Sequence, residues 1–454
     1  MTHDMFGQPV SLTQPASVSE WDAVQRGFLA HAAVTPEHLG RVLAAEPDFA
    51  LGHAVKGLFY LLLGRRELYD TAREAHAAAR KGRADRREAL YVTALAEWLA
   101  GYPSRSVTAM EQVLDAAPGD ALAMKLSHAI RFVLGDGAGM RTSLERVQDA
   151  YGPDHPARGY FLGCMAFALE ETGDYTRAEI AGRQALWTAP NDAWGLHAVA
   201  HVHDMTARTR DGLNWLAGHE AAWSHCNNFR YHVWWHKALM HLDLGEVEEV
   251  LALYDTHVRA DHTDDYRDIS NGASLLMRLE LEGIAVGDRW EEMAEISASR
   301  TEDGCLIFAD LHYLLALGGG GRSAESARLL ARVHADARNA GQGDTEARMA
   351  APGCDAATGL VAFSEQRFGT AFTHLARARG SMQLAGGSHA QRDVFERMTV
   401  DAGLRAGRLD EAEHILAERA ARRGGAEDGY AAARRKMISE ARDLSHGAQS
   451  VPAQ

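Results

Sequence analysis

Two histidine pairs at helical spacing are the part of this chain best suited to chemistry: His197/His201 in H-A-V-A-H-V-H-D and His232/His236 in H-V-W-W-H. Residues four apart share a helix face, so both imidazoles of a pair can reach one ion or one substrate atom. Ten of the 23 histidines fall between His197 and His262, and six of the nine tryptophans between Trp187 and Trp235. One chemistry that fits is metal binding, with His197, His201 and His236 holding a divalent ion such as zinc and Asp204 completing the set. The His-Glu-x-x-His pattern of zinc proteases is absent, since Ala198 and Val233 stand where its glutamate belongs. The other is metal-free acid–base catalysis by imidazoles tuned by a carboxylate.

The elements that must position these residues are repeated helical hairpins. From Gly159 to Asp192, Leu162, Ala166 and Leu169 form one apolar stripe, and Gly173 breaks the helix. Tyr175, Ala178 and Ala185 form a second stripe, and Pro190 closes a unit of about 34 residues, the tetratricopeptide period. Similar units start near Ala50, Glu88, Ala121, Ala193 and Tyr231. Blurrier ones cover 356–379 and 393–425, and 265–345 reads as helical but poorly matched. Gly318 to Gly321 reads as a loop. One hairpin cannot bury its own apolar face, so neighbours stack. The expected fold is all-α, a right-handed superhelix of tetratricopeptide-like hairpins over 21–443, with an extension at 1–20 and a flexible tail at 444–454.

Repeat numbering sorts the cluster. The groove-lining positions of a first helix are near 2, 5, 9 and 12. In the unit starting at Ala193 these are Trp194, His197, His201 and Asp204. The unit starting at Tyr231 places His232, Trp235 and His236 on the same face. His203, His219, His241 and His257 fall at packing positions, and Trp187, Trp215 and Trp223 have no role beyond packing. Later turns are expected to bring Asp310, His312, Arg392 and Asp393 opposite the cluster. A buried Asp310 needs a partner, the alternative to a site role being an ion pair with an arginine. Ser388 to Gln391 reads as a capping box, and Asp268 and Asn271 as helix caps.

The strings 192–205, 231–246, 253–258, 282–290, 308–317 and 386–395 resemble the tetratricopeptide repeat protein 38 family, over about residues 50 to 420. The resemblance implies the helical-repeat fold and points to these positions. It implies no particular reaction.

The net charge of −15 argues against a nucleic-acid partner. The four cysteines form no C-x-x-C pair, which suits a reducing cytoplasm. The N-terminus carries no signal-peptide pattern, and no apolar run approaches a membrane span. The expected function is binding of a small polar molecule, its anionic group held by Arg392, in a pocket walled by Trp194 and Trp235. The leading chemistry is hydrolysis or proton transfer by His197, His201 and His236, oriented by Asp204 or Asp310, with His232, His312 and Asp393 contacting the substrate. A homo-oligomer is compatible with that reading. The alternative is a non-catalytic scaffold holding a peptide. Such grooves present Lys, Arg and Asn, where this sequence offers His, Trp and Asp.

Overall fold

Antiparallel helix pairs follow one another through the residues that the computed structural model describes, 2–449. Pro15–Leu29 pairs with Thr35–Ala45, Ala50–Leu62 with Leu68–Ala79, Arg86–Leu99 with Pro103–Ala116, and Ala121–Leu134 with Gly137–Val147. Arg158–Glu171 then pairs with Tyr175–Thr188, Ala193–Met205 with Thr209–Leu216, and Phe229–Asp243 with Val247–Leu253. The architecture is the expected all-α superhelix of tetratricopeptide-like hairpins. Among the described residues the named strands are two short ones, Thr2–His3 and Pro9–Val10.

The poorly matched stretch folds by the same rule. Tyr266–Leu281 pairs with Arg289–Ala298, and Ile307–Gly319 with Ser323–Ala337. Gly318 and Gly319 are the last turn of a helix, where a Cβ on Gly319 would stand 2.3 Å from the Trp290 ring, and only Gly320 and Gly321 form the expected turn. The expected N-terminal extension is not separate either: residues 15–20 begin a helix, and Phe6, Val10 and Leu12 are buried in the first core cluster. At the other end, Gly429–Gln449 is helical, and positions 450–454 of the expected tail lie outside the described residues.

Local features set the helices that carry the site. Asp192 caps Ala193–Met205, its carboxylate accepting from the Gly195 amide at 3.1 Å. Gly163 and Gly195 let this helix meet Arg158–Glu171 at backbone distance: a Cβ on Gly195 would lie 3.0 Å from the Gly163 Cα. That close approach brings Glu170 beside His201.

The superhelix winds tightly enough for its first half to touch its second. Arg65 pairs with Asp264 at 3.0 Å, and Arg300 with Glu67 at 2.8 Å. The Gln383 side-chain amide donates to the Gly135 carbonyl at 2.9 Å, at a left-handed glycine whose Cβ would overlap the Gln383 carbonyl oxygen. The Gly429 amide donates to Asp243 at 2.8 Å. The first hairpin closes the ring, with the Ala33 amide donating to the His225 carbonyl and the Asn227 amide to the His31 carbonyl. Residues other than glycine are uncommon in the left-handed region, where His31 sits at φ 57°. These closures turn an open groove into an internal pocket.

Candidate functional site

The two histidine pairs converge. Helix Ala193–Met205 presents His197 and His201, and helix Phe229–Asp243 presents His232 and His236. The Nε2 atoms of His197 and His201 are 2.8 Å apart, those of His197 and His232 3.2 Å, and those of His232 and His236 3.1 Å. All four side chains are buried. Burial pushes the imidazoles of His197 and His236 well below the usual histidine range, and His232 down to about 3. These three rings are therefore neutral near pH 7, with lone pairs available.

A shell of oxygens orients two of the rings. His232 donates from Nδ1 to the Asn271 side-chain oxygen at 2.9 Å. His201 Nδ1 faces a Glu170 carboxylate oxygen at 3.4 Å. Glu170 and Glu171 also grip His389, with Nε2 to Glu170 at 2.6 Å and Nδ1 to Glu171 at 3.0 Å. Burial alone would lower the His389 pKa, but the two carboxylates outweigh it and push it up to about 10. His389 is thus an imidazolium spanning two glutamates.

In front of His197 and His232 lies a cavity of about 700 Å³. Phe28, Phe59, Phe132, Phe167, Trp194 and Phe229 make most of its aromatic wall, and leucines of the first two hairpins add to it. Lys56, Lys125 and Arg267 line it, and no Asp or Glu does among the described residues. Lys125 is only 3% exposed. Its ammonium lies 4.8 Å from the Trp194 ring centre and 3.8 Å from the Cys164 sulfur. No carboxylate among the described residues pairs with it. Trp194 donates its indole N–H to His128 Nε2 at 3.1 Å, and His31 stacks between Trp194 and Phe229.

The sequence-predicted residues divide sharply. Trp194, His197 and His232 line the cavity, with His201 and His236 behind them. Trp235 is fully buried, stacked on His232 at 5.2 Å, and is no pocket wall. Asp204 does not orient the histidines: it faces Arg423 at 3.3 Å and lines a separate polar crevice with Arg278 and Asp393. Asp310 is paired with Arg332 at 2.6 Å, the packing alternative. His312 donates to the Phe308 carbonyl at 2.8 Å inside the core. Arg392 holds the Gly386 carbonyl and Glu171, so it ties down the 386–391 loop rather than clamping a substrate. Asp393 pairs with Arg397 and Arg419, both at 2.7 Å. Each of the three aspartates found an arginine nearer than the pocket, as buried carboxylates must.

Other readings are also corrected or met. Ser388 and Gln391 form the capping box, with bonds of 3.2 and 2.9 Å. Asp265 caps its helix, so Asn271 is free to orient His232, and Asp268 accepts from Asn228 at 2.6 Å. His203 is buried in packing and His257 stacks on Trp234 at 4.0 Å, whereas Trp187 is 90% exposed and packs on nothing. The residues missed were Lys125, His31, His128, Glu170 and His389.

Fold and site together define a tetratricopeptide-like helical-repeat protein with a partly enclosed aromatic pocket. No protein-family model matches the chain. Human IFIT1, solved as a dimer with PPP-AAAA, is similar at 14% identity over 96% of this chain and 97% of that one, with a TM-score of 0.39. Yeast Tom70 is similar at 14% identity over 96% and 90%, with a TM-score of 0.34. Naa15/Naa10 bound to HypK-THB is similar at 12% over 89% and 63%, with a TM-score of 0.25.

The partner expectations are corrected here. The exclusion of nucleic acid is withdrawn, because it rested on the net charge of the whole chain. Net charge is silent about a local surface that gathers Lys56, Lys125 and Arg267. A small polar molecule does not fit walls that are mostly apolar and aromatic. Among the described residues, no helix is long and apolar enough to cross a membrane.

Proposed function

We propose that this chain is a non-catalytic helical-repeat binding protein whose pocket takes the C-terminal end of a partner peptide. The last side chains are apolar and lie against the aromatic wall, and the free carboxylate pairs with Lys125. One observation carries the reading: among the described residues Lys125 is a buried cation without a carboxylate partner, facing a cavity lined by no acidic residue, in a chain of net charge −15. A buried charge is costly until it is paired, and a ligand carboxylate supplies the pair. Lys56 and Asn227 add polar character suited to a carboxylate, whereas Arg267 is paired with Asp265 and Asn228 with Asp268. The acid–base reading loses support because Asp204 and Asp310 are spent on arginines.

Two finer placements belong to the same reading. The strings resembling the tetratricopeptide repeat protein 38 family contain His197, His201, His232, His236, Phe308 and the 386–391 loop, which supports placing the chain in that family. Four unpaired thiols support a reducing, cytoplasmic setting.

The test is retention from a synthetic pool of pentapeptides of varied C-terminal residues, half free acids and half C-terminal amides, read by mass spectrometry. Free acids with apolar last residues are expected to be retained at least about tenfold better, since a hydrogen bond to a charged group contributes about 1.5 kcal/mol or more. Equal retention of acids and amides, or retention of none, overturns the reading. Saturable binding of a 5′-phosphorylated tetra-adenylate without peptide retention replaces it with a nucleic-acid one.

A further inference from the structure

The four-histidine centre is not needed to bind a peptide. We propose that His197, His201, His232 and His236 together hold one divalent first-row metal ion through their Nε2 atoms, zinc fitting best, and that the ion pins two neighbouring repeats behind the pocket.

Three observations converge. The first is geometric. Neighbouring Nε2 atoms stand 2.8, 3.2 and 3.1 Å apart, and four nitrogens placed tetrahedrally at about 2.05 Å from zinc are roughly 3.3 Å apart. Four rings from two helices do not gather one nitrogen each at that spacing to fill apolar space.

The second is a proton count. His232 Nδ1 donates to Asn271, and the Glu170 carboxylate 3.4 Å from His201 Nδ1 favours a proton on that nitrogen too. The Nε2 atoms of His201 and His232 are then lone pairs, and His197 Nε2 lies against both, at 2.8 and 3.2 Å. In the metal-free protein His197 must give its one N–H to His201, and His236 its own to His232. Placing the His197 proton there leaves the buried His197 Nδ1 as an acceptor with no donor. A single cation satisfies every inward lone pair at once.

The third is the outer shell. Metal-bound histidines give their other ring proton to a carboxylate or carbonyl oxygen, which fixes the tautomer. Glu170 and Asn271 stand in those places for His201 and His232. Glu170, Glu171, His201 and His389 also lie close together, but His389 spends both ring nitrogens on the two carboxylates and has no lone pair for an ion. It belongs to the shell that steadies Glu170. Four protein donors leave no open position, the pattern of a structural site and not a hydrolytic one.

The experiment uses the full chain, expressed without a polyhistidine tag, stripped with a chelator and titrated with Co²⁺. The expected result is a visible d–d absorption that saturates at one equivalent and is bleached by one equivalent of Zn²⁺. Glu170→Gln keeps all four nitrogens, and it is expected to weaken the site about 10- to 100-fold with unchanged helicity. The double variant His232→Gln/His236→Gln is expected to lose the band. No saturable band in the wild type overturns the proposal. So does a band that the double variant retains, which would place the ion at the glutamates. Should the double variant fail to fold, the wild-type titration and Glu170→Gln decide the matter alone.

Discussion

In a Lys125→Met variant, acid-terminated peptides are expected to bind about 30-fold more weakly or worse, while the corresponding amides bind as they do to the wild type. Methionine keeps the length and apolar character of the lysine stem, so the change isolates the ammonium, which lies 4.8 Å from the Trp194 ring centre. Losing one partner of a desolvated, hydrogen-bonded charge pair costs about 2 kcal/mol or more, which is the factor of 30. The variant is expected to fold. Among the described residues Lys125 pairs with no carboxylate, and its hydrogen bond to the Cys164 sulfur is long. One secondary effect is electrostatic: burial pushes Asp192 up to about 7 while Lys125 holds it down, so the variant raises Asp192 further. Anisotropy titrations with labelled peptides check the prediction. Equal affinities of variant and wild type for the free acid would sink the role given to Lys125.

The second large effect concerns stability. Zinc is expected to raise the melting temperature of the stripped protein, and excess chelator to reverse the rise. An ion that binds only the folded state, free at 100 times its dissociation constant, stabilises by about 2.7 kcal/mol. His232→Gln/His236→Gln is expected to melt at the same temperature with zinc or chelator. Circular dichroism melts read both. The centre joins helix Ala193–Met205 to Phe229–Asp243, and their hairpins contribute to two core clusters that meet at this boundary. A pin there holds one half of the superhelix to the other. Identical melting of the wild type with and without zinc would contradict the structural role.

The repeat fold was legible because its signals are local. Apolar stripes three and four residues apart, with a glycine at most turns, announce hairpins without any knowledge of what they pack against. The four histidines were legible for the same reason: repeat position says which face of a first helix a residue occupies. What repeat position cannot say is which residue stands opposite after a full turn of superhelix. Asp204 and His201 share a stripe, yet Asp204 reaches Arg423 from the last hairpin while His201 reaches Glu170 from the preceding one. Arg392 sits near the site, but it holds backbone carbonyls and Glu171 because those acceptors lie within reach of its guanidinium. Lys125 was the hardest to see. In A-L-A-M-K-L-S-H it reads as one surface lysine, and only closure by the first hairpin and the 386–391 loop makes it a buried cation in a pocket. Closure also explains the misjudged groove character, since Asn227 comes from a segment far along the chain from Lys56 and Lys125.

The central claim is that the ligand enters the pocket framed by the first hairpin, the Asn227–Asn228 turn and the Gly387–Gln391 loop. Hydrogen–deuterium exchange of the wild-type protein, with and without a retained free-acid peptide, tests it most directly. The account predicts slowed exchange at 28–36, 225–229 and 386–391, the segments whose backbone closes the ring around the cavity. Slowed exchange confined to the crevice of Asp204, Arg278 and Asp428, or to the outer helices, would contradict it.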